Sequence, residues 1–96
     1  MKKELLSPAG DMESLLEAIH NGADAVYLAM KSFGARKFAK NFSKEEIIEA
    51  IKLCHLYGVR IYVTMNTLVK ESEVEDFLEQ VKYLHINGVD AIIMQD

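Results

Sequence analysis

Asn21-Gly22-Ala23-Asp24-Ala25-Val26 recurs almost unchanged as Asn87-Gly88-Val89-Asp90-Ala91-Ile92, and Tyr57-Gly58-Val59-Arg60-Ile61-Tyr62 between them is a looser copy. In each, an amphipathic stretch ends, a glycine follows and an apolar, β-branched run begins. A glycine just past a helix accepts the left-handed backbone without a Cβ clash. Gly22 to Gly58 is 36 positions and Gly58 to Gly88 is 30, the size of one helix plus one strand. The chain therefore reads as repeated βα units.

Outward from the repeat, the helices announce their own starts. Asp11 caps a helix with the apolar stripe Met12, Leu15, Leu16, Ile19. Ser43 with Glu46 forms a capping box ahead of Ile47, Ile51 and Cys54, and Ser72 with Glu75 a second one ahead of Val74, Phe77, Leu78, Val81 and Leu84. The strands expected are Glu4–Ser7, Ala25–Leu28, Val59–Met65 and Ala91–Met94. Ala25–Leu28 and Ala91–Met94 are apolar throughout, the pattern of parallel strands buried on both faces.

Alternation of strand and helix predicts an α/β fold, a parallel βαβαβαβ sheet with right-handed crossovers. The 96 residues form a single domain, half hydrophobic and about a quarter charged. The chain stops at Gln95-Asp96 without a fourth helix. That predicts the N-terminal half of a TIM-type (β/α)8 barrel, whose missing half would cover inward side chains among Tyr27, Ile61, Val63 and Ile93. The uncovered face leads us to expect that this segment alone pairs with a second copy as a homodimer.

Composition narrows the function classes. A net charge of −4 argues against bulk nucleic-acid binding by this segment. No apolar run approaches the length of a membrane helix. One cysteine, Cys54, excludes an internal disulfide and a cysteine-rich metal site, and a reducing cytoplasm suits it. Cys54 sits in an apolar stripe and reads as a small buried hydrophobe. His20, His55 and His85 each fall just before a helix-ending glycine, where a cation complements the helix dipole. That is the end of the sheet opposite the chemistry, and no metal is expected there.

Parallel barrels place reacting groups at the C-terminal strand ends and in the loops that follow. The long loop from Lys31 to Asn41 carries Lys31, Arg36, Lys37 and Lys40, Lys44 lies just beyond, and no acidic residue interrupts them. Two readings stand: a site for a carboxylate or phosphate, or a solvated loop balancing the acidic helices. Pro8-Ala9-Gly10-Asp11 is similarly open between an anion-binding helix start and a tight turn with an N-cap. No Ser-His-Asp or Cys-His arrangement can be assembled.

Glu4-Leu5-Leu6-Ser7-Pro8-Ala9-Gly10-Asp11-Met12-Glu13-Ser14-Leu15, Gly22–Leu28, Phe33–Arg36, Ala39–Phe42, Tyr62–Leu68 and Gly88–Asp96 together resemble the collagenase-like peptidases, the family numbered thirty-two among peptidases of unassigned type. The likeness runs in order along the chain and covers only the N-terminal part of that longer family. It implies a barrel-type parallel fold and a bacterial, cytoplasmic protein. The family's label implies a protease, a hydrolase of collagen-like peptides. Other members assist hydroxylation of RNA bases or of the ubiquinone ring and hold an iron–sulfur cluster on four cysteines beyond this region, none of which Cys54 matches. The resemblance further implies substrate binding by Arg36, Asn41, Asn66 and Gln95, with Arg36 on an anion and Asn66 hydrogen-bonding the substrate. For Asp96 it implies either a catalytic acid/base group or a polar contact. Ala29-Met30 departs from a frequent glycine of the family. The ligands implied are an anionic small molecule, a peptide or RNA. A competing reading is a non-catalytic subunit that works only by assembly.

Overall fold

The computed structural model describes residues 4–29, 42–66 and 68–95. Strand β1 is Leu6–Pro8, α1 Met12–His20, β2 Ala25–Ala29, α2 Lys44–Leu56 and β3 Arg60–Asn66. A 3-10 turn over Glu71–Glu73 then leads into α3, Val74–Ile86, and the last strand is β4, Ala91–Gln95. The strands lie in the order β1-β2-β3-β4, and every neighbouring pair is parallel.

Two helix starts follow the sequence closely. The Asp11 carboxylate accepts the Ser14 N–H at 2.8 Å. Ser43 and Glu46 form the reciprocal box, Glu46 accepting the Ser43 N–H at 2.9 Å and Ser43 Oγ accepting the Glu46 N–H at 3.3 Å. Each bond satisfies a donor that the first helical turn leaves without an internal partner. The third start differs. Ser72 lies inside the 3-10 turn, and it is Glu73 that reaches back to accept the Lys70 N–H at 2.9 Å. The box expected at Ser72 and Glu75 is replaced by a turn that begins two residues earlier.

The pleat sorts side chains onto two faces. Val26 lies beside Ile61, Leu28 beside Val63, and Met65 completes this set. They join Leu15, Ala18 and Ile19 of α1, Ile47, Ala50, Ile51 and Cys54 of α2, and Leu84 of α3 in one core. All three helices therefore cover the same face. In α1 the buried stripe is Leu15, Ala18 and Ile19, while Leu16 turns outward and is 40% exposed. Ile61 and Val63 face the helices, so of the side chains considered for the inward face only Tyr27 and Ile93 lie on it.

β2, a central strand, is buried as its apolar run predicts. β4 is not: Ala91, Ile93 and Met94 are exposed and only Ile92 is half-buried against the core. The reason is position. β4 has a strand on one side only, and among the described residues no helix follows it to cover Met94. The same position leaves Leu78 of α3 more than half exposed.

The repeated aspartates act at the N-terminal strand ends. Asp24 N–H donates to Leu5 O at 2.9 Å, and its carboxylate accepts the Leu5 N–H at 2.8 Å. Asp90 N–H donates to Ile61 O at 3.0 Å, and its carboxylate accepts the Ile61 N–H at 2.8 Å. Gly22 and Gly88 stand two residues earlier with φ of 83° and 90°, the left-handed turn that aims each aspartate at its neighbouring strand. In the middle unit Arg60 takes the aspartate's place. Its N–H donates to Asp24 O at 3.0 Å and its guanidinium reaches Glu4 at 3.2 Å.

Candidate functional site

At the C-terminal strand ends, β3 finishes on Asn66 and β4 on Gln95, and these two residues are partners in register. Neighbouring strands are about 4.8 Å apart, so two carboxamides share one small area of the open face. Asn66 is exposed, and its Oδ1 accepts the Leu68 N–H at 2.8 Å. This local bond orients the amide, with Oδ1 turned to the backbone and Nδ2 able to donate to a ligand.

One row below lie Ala29, Thr64 and Ile93, in register across β2, β3 and β4, and below them Tyr27 and Tyr62. Thr64 Oγ1 donates to Leu28 O at 3.4 Å. Tyr62 is drawn toward the other end, its hydroxyl donating to Glu4 at 3.3 Å. The open face thus grades from an acid–base–phenol cluster at the N-terminal end to carboxamides at the C-terminal end.

Of the residues singled out as substrate-binding or catalytic, Asn66 and Gln95 are brought together. Arg36, Asn41 and Asp96 lie outside the described residues, as does the basic loop between Lys31 and Lys40. Lys44, just past that loop, sits with Nζ 5.6 Å from the centroid of the Tyr83 ring, and the Tyr83 hydroxyl donates to Lys44 O at 3.0 Å. That lysine is engaged by α3. Pro8 ends β1, and Ala9, whose N–H donates to Tyr27 O at 2.9 Å, and Gly10 lead to the Asp11 cap. Thr64 shares Asn66's face two residues earlier on β3.

The three histidines occupy last helical turns. His55 Nε2 is 2.8 Å from Asp90 Oδ2, at the end of the sheet remote from Asn66. Cys54 is fully buried, and burial, with the negative charge of Asp90 as a smaller cause, pushes its thiol up to about 11. A thiol so placed is a poor nucleophile and a poor metal ligand. Among the described residues no three His, Cys, Asp or Glu side chains gather in a metal-binding group. A four-cysteine iron–sulfur site does not fit on this chain. No helix among them is long and apolar enough to cross a membrane.

Residues 10–96 match the sequence profile of peptidase family U32. The chain belongs to this family. Among its relatives, the 23S rRNA 5-hydroxycytidine C2501 synthase of Escherichia coli is 46% identical over 97% of this chain and 14% of its own length. The uncharacterized protease MJ0090 of Methanocaldococcus jannaschii is 43% identical over 97% of this chain and 23% of its own. The tRNA hydroxylation protein P1 of Bacillus subtilis is 40% identical over 99% and 22%. This U32 chain thus spans less than a quarter of these relatives. In fold it is similar to the U32 peptidase Mk0906, with a TM-score of 0.72 at 11% identity, over 99% of this chain and 41% of that one.

Proposed function

We propose that this chain is the N-terminal barrel segment of an RNA-modifying U32 enzyme and supplies part of the site that receives the base. The observation that carries this reading is the in-register pair Asn66 and Gln95 at the C-terminal end of a parallel sheet with all helices on one face. That is where a (β/α)8 barrel keeps its chemistry, and four sequential strands make half of such a barrel. The 46% and 40% identical relatives, named for hydroxylation of rRNA and tRNA, favour a base as substrate over a peptide. In this reading Arg36 holds an anionic group of the substrate, Asn41 and Gln95 add polar contacts, and Asp96 exchanges a proton with the reacting group. Any iron–sulfur cluster belongs to chain beyond these residues, and the protein works in the cytoplasm.

The test is nucleoside mass spectrometry of rRNA and tRNA from cells in which the gene is deleted, then restored intact or as Asn66→Ala. One hydroxylated pyrimidine should vanish on deletion, return with the intact gene and stay at least about tenfold reduced with Asn66→Ala. An unchanged nucleoside profile on deletion refutes the reading. Proteolysis is the second reading, favoured by the 43% identical relative named as a protease. Peptide hydrolysis by the purified protein that disappears with Asn66→Ala would establish it instead.

A further inference from the structure

The helix ends at the N-terminal side of the sheet carry exposed apolar side chains. Ile86 is 79% exposed and Leu56 77%, the two highest values for large apolar residues among those described, and Tyr57 beside Leu56 is 59% exposed. The repeat sets their place. Leu56 closes α2 and Ile86 closes α3, each two residues before a glycine in the left-handed conformation. The two ends are tied together, because His55 Nε2 lies 2.8 Å from Asp90 Oδ2, just past the turn that follows Ile86.

This exposure on α2 does not come from missing barrel units. α2 has α1 on one side and α3 on the other, whereas further units would join beyond β1 and β4. Ahead of its last turn the exposed residues of α2 are all charged: Lys44, Glu45, Glu49 and Lys52. One exposed leucine on a surface is ordinary, but a group at one end of an otherwise charged helix layer marks an interaction site.

We infer that Leu56, Tyr57 and Ile86 form a docking surface for the part of the same polypeptide that lies beyond the barrel. This chain covers 14%, 23% and 22% of three relatives. An eight-stranded barrel takes about 250 residues, so roughly two-fifths or more of each relative's length lies outside a complete barrel. The C-terminal strand ends must stay open to substrate, and the outer face of α2 is charged. The N-terminal end is the apolar surface on which further chain can pack without blocking the site. Its apolar residues beside the polar His55 and Asp90 have the make-up of an interface between domains. The inference rests on the reading of this chain as the N-terminal segment of a longer enzyme.

The test is photo-cross-linking of the purified full-length protein carrying p-benzoylphenylalanine in place of Leu56 or Ile86, with the exposed Lys52 and Glu79 positions on the same helices as controls. Positions 56 and 86 should both join to one stretch of polypeptide beyond the barrel, with about tenfold or more the yield of the controls. A product of twice the mass would assign the surface to a second copy. Cross-links confined to the barrel, or yields equal to the controls, would leave it a plain surface. Each of these overturns the inference. Leu56→Asp combined with Ile86→Asp, both at exposed sites, should speed hydrogen exchange of the captured stretch about tenfold while β2 and β3 exchange as before. Unchanged exchange of that stretch also overturns it. The RNA-modifying reading fails separately, on the nucleoside profile of the deletion strain: cross-links without a change in that profile retain the docking surface and discard the reaction.

Discussion

Asp24 and Asp90 make the same two-point contact, each clasping a residue at the N-terminal end of the strand beside it, Leu5 and Ile61, through both its backbone N–H and its carboxylate. At Asp90 the carboxylate oxygen that receives the Ile61 N–H also lies 2.8 Å from His55 Nε2. The repeat in the sequence is thus a repeated fastening of the N-terminal sheet end.

Removing the fastening should cost stability and leave ligand binding alone. Asp90→Ala strips the Ile61 N–H of its partner, and Asp24→Ala does the same to Leu5. Each should lower stability by about 1–3 kcal/mol, with Asp90→Ala the larger because His55 loses a partner too. Urea unfolding measures both. An Asp90→Ala chain as stable as the parent would show that water replaces the carboxylate fully.

The buried thiol gives a pH dependence of definite sign. The folded chain holds Cys54 to about 11, above the ordinary value of 9.0. As pH rises between these values the unfolded chain loses the thiol proton first, so stability is full below pH 9 and falls toward 11. The loss amounts to roughly 2–3 kcal/mol at most. Stability curves of the parent and Cys54→Ala should therefore converge across that window. At pH 8, alkylation of native Cys54 should be far slower than in urea.

Gln80 of α3 carries a buried Oε1 with no hydrogen-bond partner among the described residues. Gln80→Met keeps the length and removes the orphaned acceptor. It should raise stability by about 1 kcal/mol, or about 4–8 °C in Tm for a domain of this size. A lower Tm would mean that Gln80 binds water at that site.

On its own, the chain should associate. Leu5 is 51% exposed on the β1 side, Ile93 38% and Met94 48% on β4, and Leu78 55% on α3. Each large apolar side chain covered by a partner returns roughly 1.5–3 kcal/mol. Sedimentation at low micromolar concentration should give a dimer, and Ile93→Lys a monomer. A soluble parent monomer would refute the pairing.

The amino-acid sequence by itself determined the alternation of strand and helix, the caps at Asp11 and Ser43 and the left-handed glycines. These are local matters, decided by spacing, side-chain reach and backbone freedom within a few residues. From alternation followed a parallel sheet with right-handed crossovers; the sequential order β1-β2-β3-β4 followed from the barrel reading, since alternation alone also allows doubly wound orders. The likeness of Asn66 and Gln95 to a family's polar positions was legible as well. Their meeting in register was not, since strand register is settled between elements distant in the chain. Only the tertiary structure decided that Ile61 and Val63 face the helices while Tyr27 and Thr64 lie on the opposite face of the sheet. It also decided that an apolar run buries its side chains at β2 and bares them at β4. The two runs are nearly the same in composition; β2 has a strand on each side and helices above it, and β4 stands at the edge.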